Sequence, residues 1–309
     1  MAKHWQAQLS FQYADTSDFF IGDQRVKNPA PNGPSLYGTP PRRRVSIYDL
    51  DLLYGVSNRV SVDLTLPFLS GYSAVVQGTP QSHRVYEYRA GGLGDLSFQA
   101  EYWLSDPTKA SPVSASVSVG FKAPTGANDI TGPSPTGEVA LDENTQLGNG
   151  GWEMLLRAQG TAGLGGPFFA YASGYYGVSL TEHTDVPMGG RLNGVVVLRG
   201  VPDTYSGRLG VASLLPFVEG LVFSAGGRIN GVTVRDLIGG GDLYFRRPGY
   251  EVYFEPGLSW TLGRNLASLS VPIRIYQKKL DSLLDVAQGV HRGSDFAPYL
   301  IVASVARRF

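Results

Sequence analysis

Cysteine is absent from the 309 residues. That excludes a disulfide framework and a thiolate metal site, and it suits passage through an oxidising compartment. Long apolar runs are missing too. No uninterrupted stretch approaches the ~18 residues that a membrane-spanning helix needs, so a helical membrane protein is excluded. Neither sign of charge is in excess: Lys+Arg and Asp+Glu each number 26, and the chain carries no electrostatic footprint for DNA or RNA. Residues Met1-Ala2-Lys3-His4 lead directly into an alternating segment without the apolar core of a signal peptide. An export signal is therefore expected to have been removed ahead of this start.

Glycine is abundant, at 40 residues, and so is tyrosine, at 17. With 42% hydrophobic residues and a mean hydropathy of -0.08, this is the composition of a strand-and-turn protein rich in aromatics. Several segments alternate with period two for longer than soluble strands usually do. Between Tyr250 and Leu262, Tyr250, Val252, Phe254, Leu258, Trp260 and Leu262 share one face while Glu251, Glu255, Ser259 and Thr261 share the other. Val60, Val62, Leu64 and Leu66 alternate likewise with Ser61, Asp63 and Thr65.

Alternation and turn residues together predict twelve strands, near 4–20, 43–56, 59–74, 93–104, 112–124, 152–163, 167–182, 204–215, 218–236, 250–262, 265–280 and 296–309. Tight connections alternate with long ones near 21–42, 75–92, 125–151, 183–203, 237–249 and 281–295. The pattern predicts an all-β chain with one domain over residues 1–309, a single 12-stranded antiparallel transmembrane β-barrel with short periplasmic turns and long extracellular loops. A soluble sandwich or propeller also explains the alternation, but predicts shorter strands, shorter loops and fewer outward aromatics.

Phe309 closes the last amphipathic strand, and a terminal aromatic there resembles the signal by which outer-membrane barrels are recognised for insertion. Three further stretches carry a family resemblance: Tyr54-Gly-Val-Ser-Asn-Arg-Val-Ser-Val-Asp-Leu-Thr-Leu-Pro67, Gly92-Leu-Gly-Asp-Leu96, and Gly120-Phe-Lys-Ala-Pro-Thr-Gly126 followed by Gly148-Asn-Gly150. In this order they resemble the outer-membrane channel family labelled "MetA-pathway of phenol degradation", also known as the COG4313 channels. The resemblance spans essentially the whole chain. It implies a monomer in the bacterial outer membrane, associated with uptake of small hydrophobic, often aromatic, molecules. Such a barrel has the lipid bilayer and lipopolysaccharide around it and the outer-membrane insertion machinery as an assembly partner.

With the apolar faces toward lipid, the opposite faces place Gln6, Gln8, Gln12, Asp49, Asp51, Asp63, Asp95, Glu101, Lys122, Glu153, Arg157, Arg228, Glu251, Glu255, Arg274 and Lys278 inside. A dry interior cannot hold so many unpaired charges, so the lumen is watered, internally ion-paired, or both. Each charge either sets selectivity or braces the wall, as Glu153 paired with Arg157 would. Twelve strands lie between the filled eight-stranded barrel and the open sixteen-stranded porin, which predicts a narrow pore.

Loop 125–151 is too long for a plain hairpin connection and is the expected constriction. On an exposed tether its Val139, Leu141 and Leu147 would face water, so the loop is expected to fold inward as a gate. Its acids Asp129, Glu138, Asp142 and Glu143 are expected to meet Lys122, Arg157 or Arg274; a divalent cation on Asp129, Asp142 and Glu143 is the alternative. In loop 183–203, Val195-Val-Val-Leu198 is either an added strand or a folded loop. Pro216, Pro256 and Pro272 can each break wall pairing and open a sideways exit, or mark an inert bulge.

An enzymatic reading is a lipid hydrolase of the barrel type. Of His4, His83, His183 and His291, none begins a His-x-Ser pattern. His291 with Ser294 and Asp295 is the nearest arrangement, followed by His183 with Asp185. A non-conducting structural or adhesive barrel is the third class. The residues favour a passive channel for small hydrophobic or aromatic solutes, without catalysis, metal, cofactor or plug domain.

Overall fold

The protein is described by a computed structural model covering residues 3–26, 41–79, 82–107, 109, 111–135, 137–239 and 243–309. Among them no helix is long and apolar enough to cross a membrane. A strand apolar on one face and polar on the other needs lipid or a second sheet against its apolar face, and in lipid an open sheet edge is too costly. Closure satisfies both demands. Twelve antiparallel strands run in chain order: β1 (Trp5–Thr16), β2 (Arg42–Gly55), β3 (Val60–Thr79), β4 (Ser82–Leu93 and Ser97–Trp103), β5 (Val113–Lys122), β6 (Glu153–Gly165), β7 (Phe168–Ser179), β8 (Thr204–Leu214), β9 (Leu221–Val232), β10 (Gly249–Leu262), β11 (Asn265–Ser270 and Ile273–Lys279) and β12 (Leu300–Arg308). Each pairs with its neighbours, and β12 returns to β1 with Leu9 opposite Val305.

The outward positions carry Leu9, Leu50, Leu64, Phe98, Val117, Val119, Leu209, Val211, Leu258 and Val305, all exposed as lipid-facing side chains must be. Trp5, Tyr102, Phe168 and Trp260 rim this band near the short turns, and Tyr48 and Phe68 rim it toward the long loops. That is the double aromatic girdle of an outer-membrane barrel.

Two strands are interrupted. In β4 the break spans residues 94–96, and the upper half, Ser82–Leu93, pairs with β3 alone among the described strands. In β11 it falls at Val271 and Pro272, where proline cannot donate to the ladder. Pro256 instead stays within β10, opposite Ala225, and Pro216 lies in a turn.

Several sequence boundaries move. The region 75–92, expected as a loop, is mostly strand, because β3 and β4 continue as a hairpin whose inner face buries Val75, Tyr86 and Tyr88. Part of the expected loop 21–42 lies outside the described residues. Residues His183–Leu192 and Val195–Gly200 pair as a hairpin outside the barrel ladder. Its tip is Asn193-Gly194, with φ of 50° and 85°, the left-handed pair that a two-residue turn demands. Lys278, expected inside, is opposite the outward Tyr250 instead. A bulge between Arg274 and Tyr276 inserts one residue and shifts the phase, so Lys279 turns inward and is buried.

Candidate functional site

Inward side chains divide the lumen into two levels. The lower level begins with a cavity of about 540 Å³ lined by Gln8, Asp51, Asp63, Gln99, Glu101 and Arg157. Through Gln6, Leu53, Ser61, Glu101 and Gln159 it shares a wall with a cavity of about 490 Å³, which reaches His4, Arg264, Arg308 and Phe309 at the periplasmic mouth. Asp51 accepts hydrogen bonds from Gln8 at 3.2 Å and Thr65 at 2.7 Å. Glu101 accepts from Ser61 at 3.1 Å, Ser116 at 2.7 Å and Gln159 at 2.9 Å. Among the described residues Asp49 takes only the Ser10 hydroxyl, at 3.4 Å, and one carboxylate oxygen of Asp63 has no partner. None of these four acids forms an ion pair among the described residues. Arg157 lines the same cavity, with its guanidinium 5.5 Å from the Tyr175 ring centre.

The other expected lumen charges are engaged in the wall. Lys122 bridges Asp95 at 3.1 Å and Glu153 at 2.9 Å, so the expected pairing of Glu153 with Arg157 gives way to Lys122. Glu255, 2% exposed, receives two bonds from Arg208 at 2.9 and 2.8 Å, with Arg228 at 3.6 Å. Arg208 was not singled out in the sequence, although it shares the inward phase of β8. Arg274 reaches Asp18 at 3.2 Å, and Glu251 accepts the Tyr253 hydroxyl.

The outer level holds cavities of about 530 and 420 Å³ that share Ile47, Leu69, Gln146, Val232 and Arg247. None of their lining residues lines the lower pair. Here the polar Gln12, Asn144, Gln146, Asn230 and Glu251 share the lining with apolar inward side chains: Ala14, Val45, Ile47, Leu69, Val232 and Leu300. Sequence reading missed them because it assigned apolar residues to lipid. The signal was present, since Val45 and Ile47 are in phase with Asp49 and Asp51 along β2.

Loop 125–151 lies against this outer level. It contains a short hairpin, Thr131–Ser134 with Gly137–Ala140, and a 3-10 turn, Glu143–Thr145, whose Asn144 N–H is capped by the Asp142 side chain. Leu141 is buried with Val75, Tyr86 and Tyr88. Thr145 lies on Gly71, where an added Cβ would meet the Thr145 Cα at 3.1 Å. Arg43, 2% exposed, holds Asp142 at 2.9 Å and also pairs with Asp295, while Arg247 reaches Asp142 at 2.7 Å and Glu143 at 3.8 Å. Arg199 donates to the Leu141 carbonyl at 3.1 Å and to that of Asn128. At the loop's base Asp95 accepts from the Gly126 N–H at 2.9 Å and the Asn149 N–H at 3.1 Å.

The loop acids thus meet Arg43 and Arg247 rather than Lys122, Arg157 or Arg274. Arg43 continues the inward phase of β2 above Val45, at the height the loop reaches. Asp129 and Glu138 are exposed, Val139 is half-buried, and Leu147 lines an outer cavity. Burial alone would raise the Asp142 carboxyl, but Arg247 and Arg43 hold it well below the usual range. Burial pushes Glu143 up, with Arg247 opposing and Asp142 adding to the rise.

Among the described residues no three of His, Asp and Glu group to hold a metal ion. His291 Nδ1 is 2.7 Å from Asp281, while Asp295 is held by Arg43, so the His291, Ser294, Asp295 arrangement is not assembled. His183 stacks on Tyr244 at 4.2 Å between ring centres.

The fold matches the crystal structure of the COG4313 outer membrane channel from Pseudomonas putida F1, with a TM-score of 0.63 and 13% identity, covering 100% of this chain and 96% of that one. The TodX monoaromatic hydrocarbon channel deltaS2 mutant matches with a TM-score of 0.50 and 10% identity, covering 100% and 90%. The Ralstonia pickettii toluene transporter TbuX follows at 0.48 and 8%, covering 100% and 90%. No protein-family model matches the sequence, and no curated protein does. At these identities the likeness establishes the fold, a closed antiparallel β-barrel.

Proposed function

We propose that the protein is an outer-membrane channel for passive uptake of small hydrophobic or aromatic molecules. The observation that carries this reading is the set of apolar inward side chains Ala14, Val45, Ile47, Leu69, Val232 and Leu300, which share the outer level with polar groups and lie above an acid-lined level. An oily solute gains by leaving water for the outer level. The folds of the COG4313 channel and of TodX, a monoaromatic hydrocarbon channel, support the same solute class. Loop 125–151 acts as the constriction and gate, latched by Asp142 between Arg43 and Arg247. Nothing in this path requires covalent chemistry, and the barrel works as a monomer.

The test is uptake of labelled monocyclic aromatics, against sugars of similar mass, by a porin-deficient strain with and without the protein. Faster entry of aromatics alone is expected. Equal acceleration of sugars would mean a general pore, and no change in either would sink the channel reading.

Segment 94–96 is the weakest stretch of this wall, held by the Gly94 N–H on the Pro67 carbonyl at 2.9 Å and the Ala123 N–H on the Leu96 carbonyl at 2.8 Å, and a sideways exit into the bilayer would pass here. Asp95, Pro67 and Leu147 beside it line the outer cavity, whereas the lower level would charge an oily solute the cost of displacing water from three carboxylates, Asp51, Asp63 and Glu101. Replacing Asp51, Asp63 and Glu101 by Asn, Asn and Gln separates the routes. Sideways exit leaves aromatic uptake unchanged, and exit through the lower lumen speeds it.

A further inference from the structure

The register places a row of side chains on the outer wall that neither the lumen nor the loop uses. Asp15 on β1 lies opposite Arg44 on β2, Arg44 opposite Tyr72 on β3, and Tyr72 opposite Arg89 on β4. These positions share the phase of the lipid-facing Tyr48 and Phe68, so all four point away from the lumen. Two rungs lower is the aromatic and aliphatic row Phe11, Tyr48, Phe68 and Leu93. The rung between holds small side chains, Ser46, Ser70 and Gly91, beside Tyr13. The outer wall therefore has a shallow recess above its aromatic girdle and below its arginines.

The arginines are set around one ring. The Arg44 and Arg89 guanidiniums lie 5.5 and 5.2 Å from the centre of Tyr72. Such stacking fixes the guanidinium plane while leaving its N–H edges free. Arg44 uses Nε on Asp15, at 3.3 Å, and its side chain is 44% exposed. Arg89 is exposed and makes no ion pair among the described residues. Arg42, one rung up, also meets Asp15, at 3.1 Å. Asp15 and Glu87 are the acids of the patch, so its three arginines keep a net positive charge.

We propose that Arg44, Tyr72 and Arg89 form a binding site for a phosphate of lipid A, with the sugar that carries it seated in the recess over Ser46, Ser70 and Gly91. The long loops put this end of the barrel in the outer leaflet, where the lipid is lipopolysaccharide. The row lies just above the girdle, at headgroup height. Two guanidiniums from neighbouring strands present a forked set of donors suited to phosphate oxygens. The site serves the anchoring of the barrel wall and is independent of which solute the lumen carries.

The test measures binding to the purified, folded barrel by native mass spectrometry, using bisphosphorylated lipid A, dephosphorylated lipid A and phosphatidylglycerol. Bisphosphorylated lipid A is expected to bind best, and Arg44→Gln with Arg89→Gln to weaken it roughly tenfold, as loss of charge-assisted hydrogen bonds implies. Arg59→Gln in a periplasmic turn should leave it unchanged. Ser46→Trp fills the recess while keeping both arginines, and should also weaken binding. Equal binding of dephosphorylated lipid A, or no effect of either site change, overturns the proposal. Phosphatidylglycerol binding as tightly as lipid A overturns the choice of ligand. Should the double arginine variant fail to fold, the phosphate comparison on the unaltered protein and Ser46→Trp still decide.

Discussion

At the residue scale, the informative contrast is between charges that meet a partner and charges that meet water. Asp142 sits between Arg43 and Arg247, and replacing it with Asn leaves both guanidiniums short of an acid they were buried against. Arg43 keeps Asp295, so the barrel should still assemble. The loop should lose about 3–5 kcal/mol of its hold, and single-channel conductance in planar bilayers should rise. The pH response follows from the same pair. The folded-state pKa of Asp142 is depressed, so its stabilisation is complete above about pH 4 and disappears only as pH falls through the lowered folded value. Glu143, raised by burial, takes up its proton first, and Arg247 then still keeps Asp142. Conductance of the unaltered protein should stay low down to about pH 4 and climb below it, while the Asp142→Asn variant conducts at every pH. A rise of the unaltered protein near neutrality would contradict this account.

At the element scale, the loop rests on the wall because β3 offers it no side chain at Gly71. A Cβ there would meet the Thr145 Cα at 3.1 Å, and a larger side chain must push the 3-10 turn inward or away. Gly71→Leu should cost about 1–3 kcal/mol, as overpacking does, and should widen the distribution of conductance states; unchanged recordings would show that the turn does not depend on this contact. The extension of β3 and β4 beyond the girdle has the same origin. Its inner face buries Val75, Tyr86 and Tyr88 on Leu141, so the ladder continues where a solvated loop was expected. That burial joins residues far apart in sequence and leaves no local signature. The hairpin at Asn193-Gly194, in contrast, was legible in principle, because that dipeptide favours the two-residue turn observed.

At the scale of the whole molecule, closure makes the barrel one cooperative object. β1 and β12 seal it over nine paired positions from Gln6 to Ala14, and the Phe309 N–H continues the seam to the Trp5 carbonyl at 2.9 Å. If Phe309 is the insertion signal, its deletion should lower the amount of assembled barrel in the outer membrane while sparing refolding into detergent. Heat-modifiable migration on gels would score both. Equal losses in the cell and in detergent would make Phe309 a structural seam residue instead. A single heat-modifiable species of one chain is expected throughout.

Period-two alternation was enough to determine twelve strands, the polar face each turns to the lower lumen and most of the alternation of short turns with long loops, because the side-chain period of a strand and the demands of lipid act locally on every strand. The candidate site was half legible. Asp49, Asp51, Asp63 and Glu101 follow from their phase, and so would Val45 and Ile47 have done, had phase been ranked above polarity. The partners of Asp142, the role of Arg208, the shift from Lys278 to Lys279 and the row Asp15, Arg44, Tyr72 and Arg89 were decided only by the tertiary structure. Each depends on register between strands or on one inserted residue, and register is set by closure of the whole barrel, which no segment of the chain specifies alone.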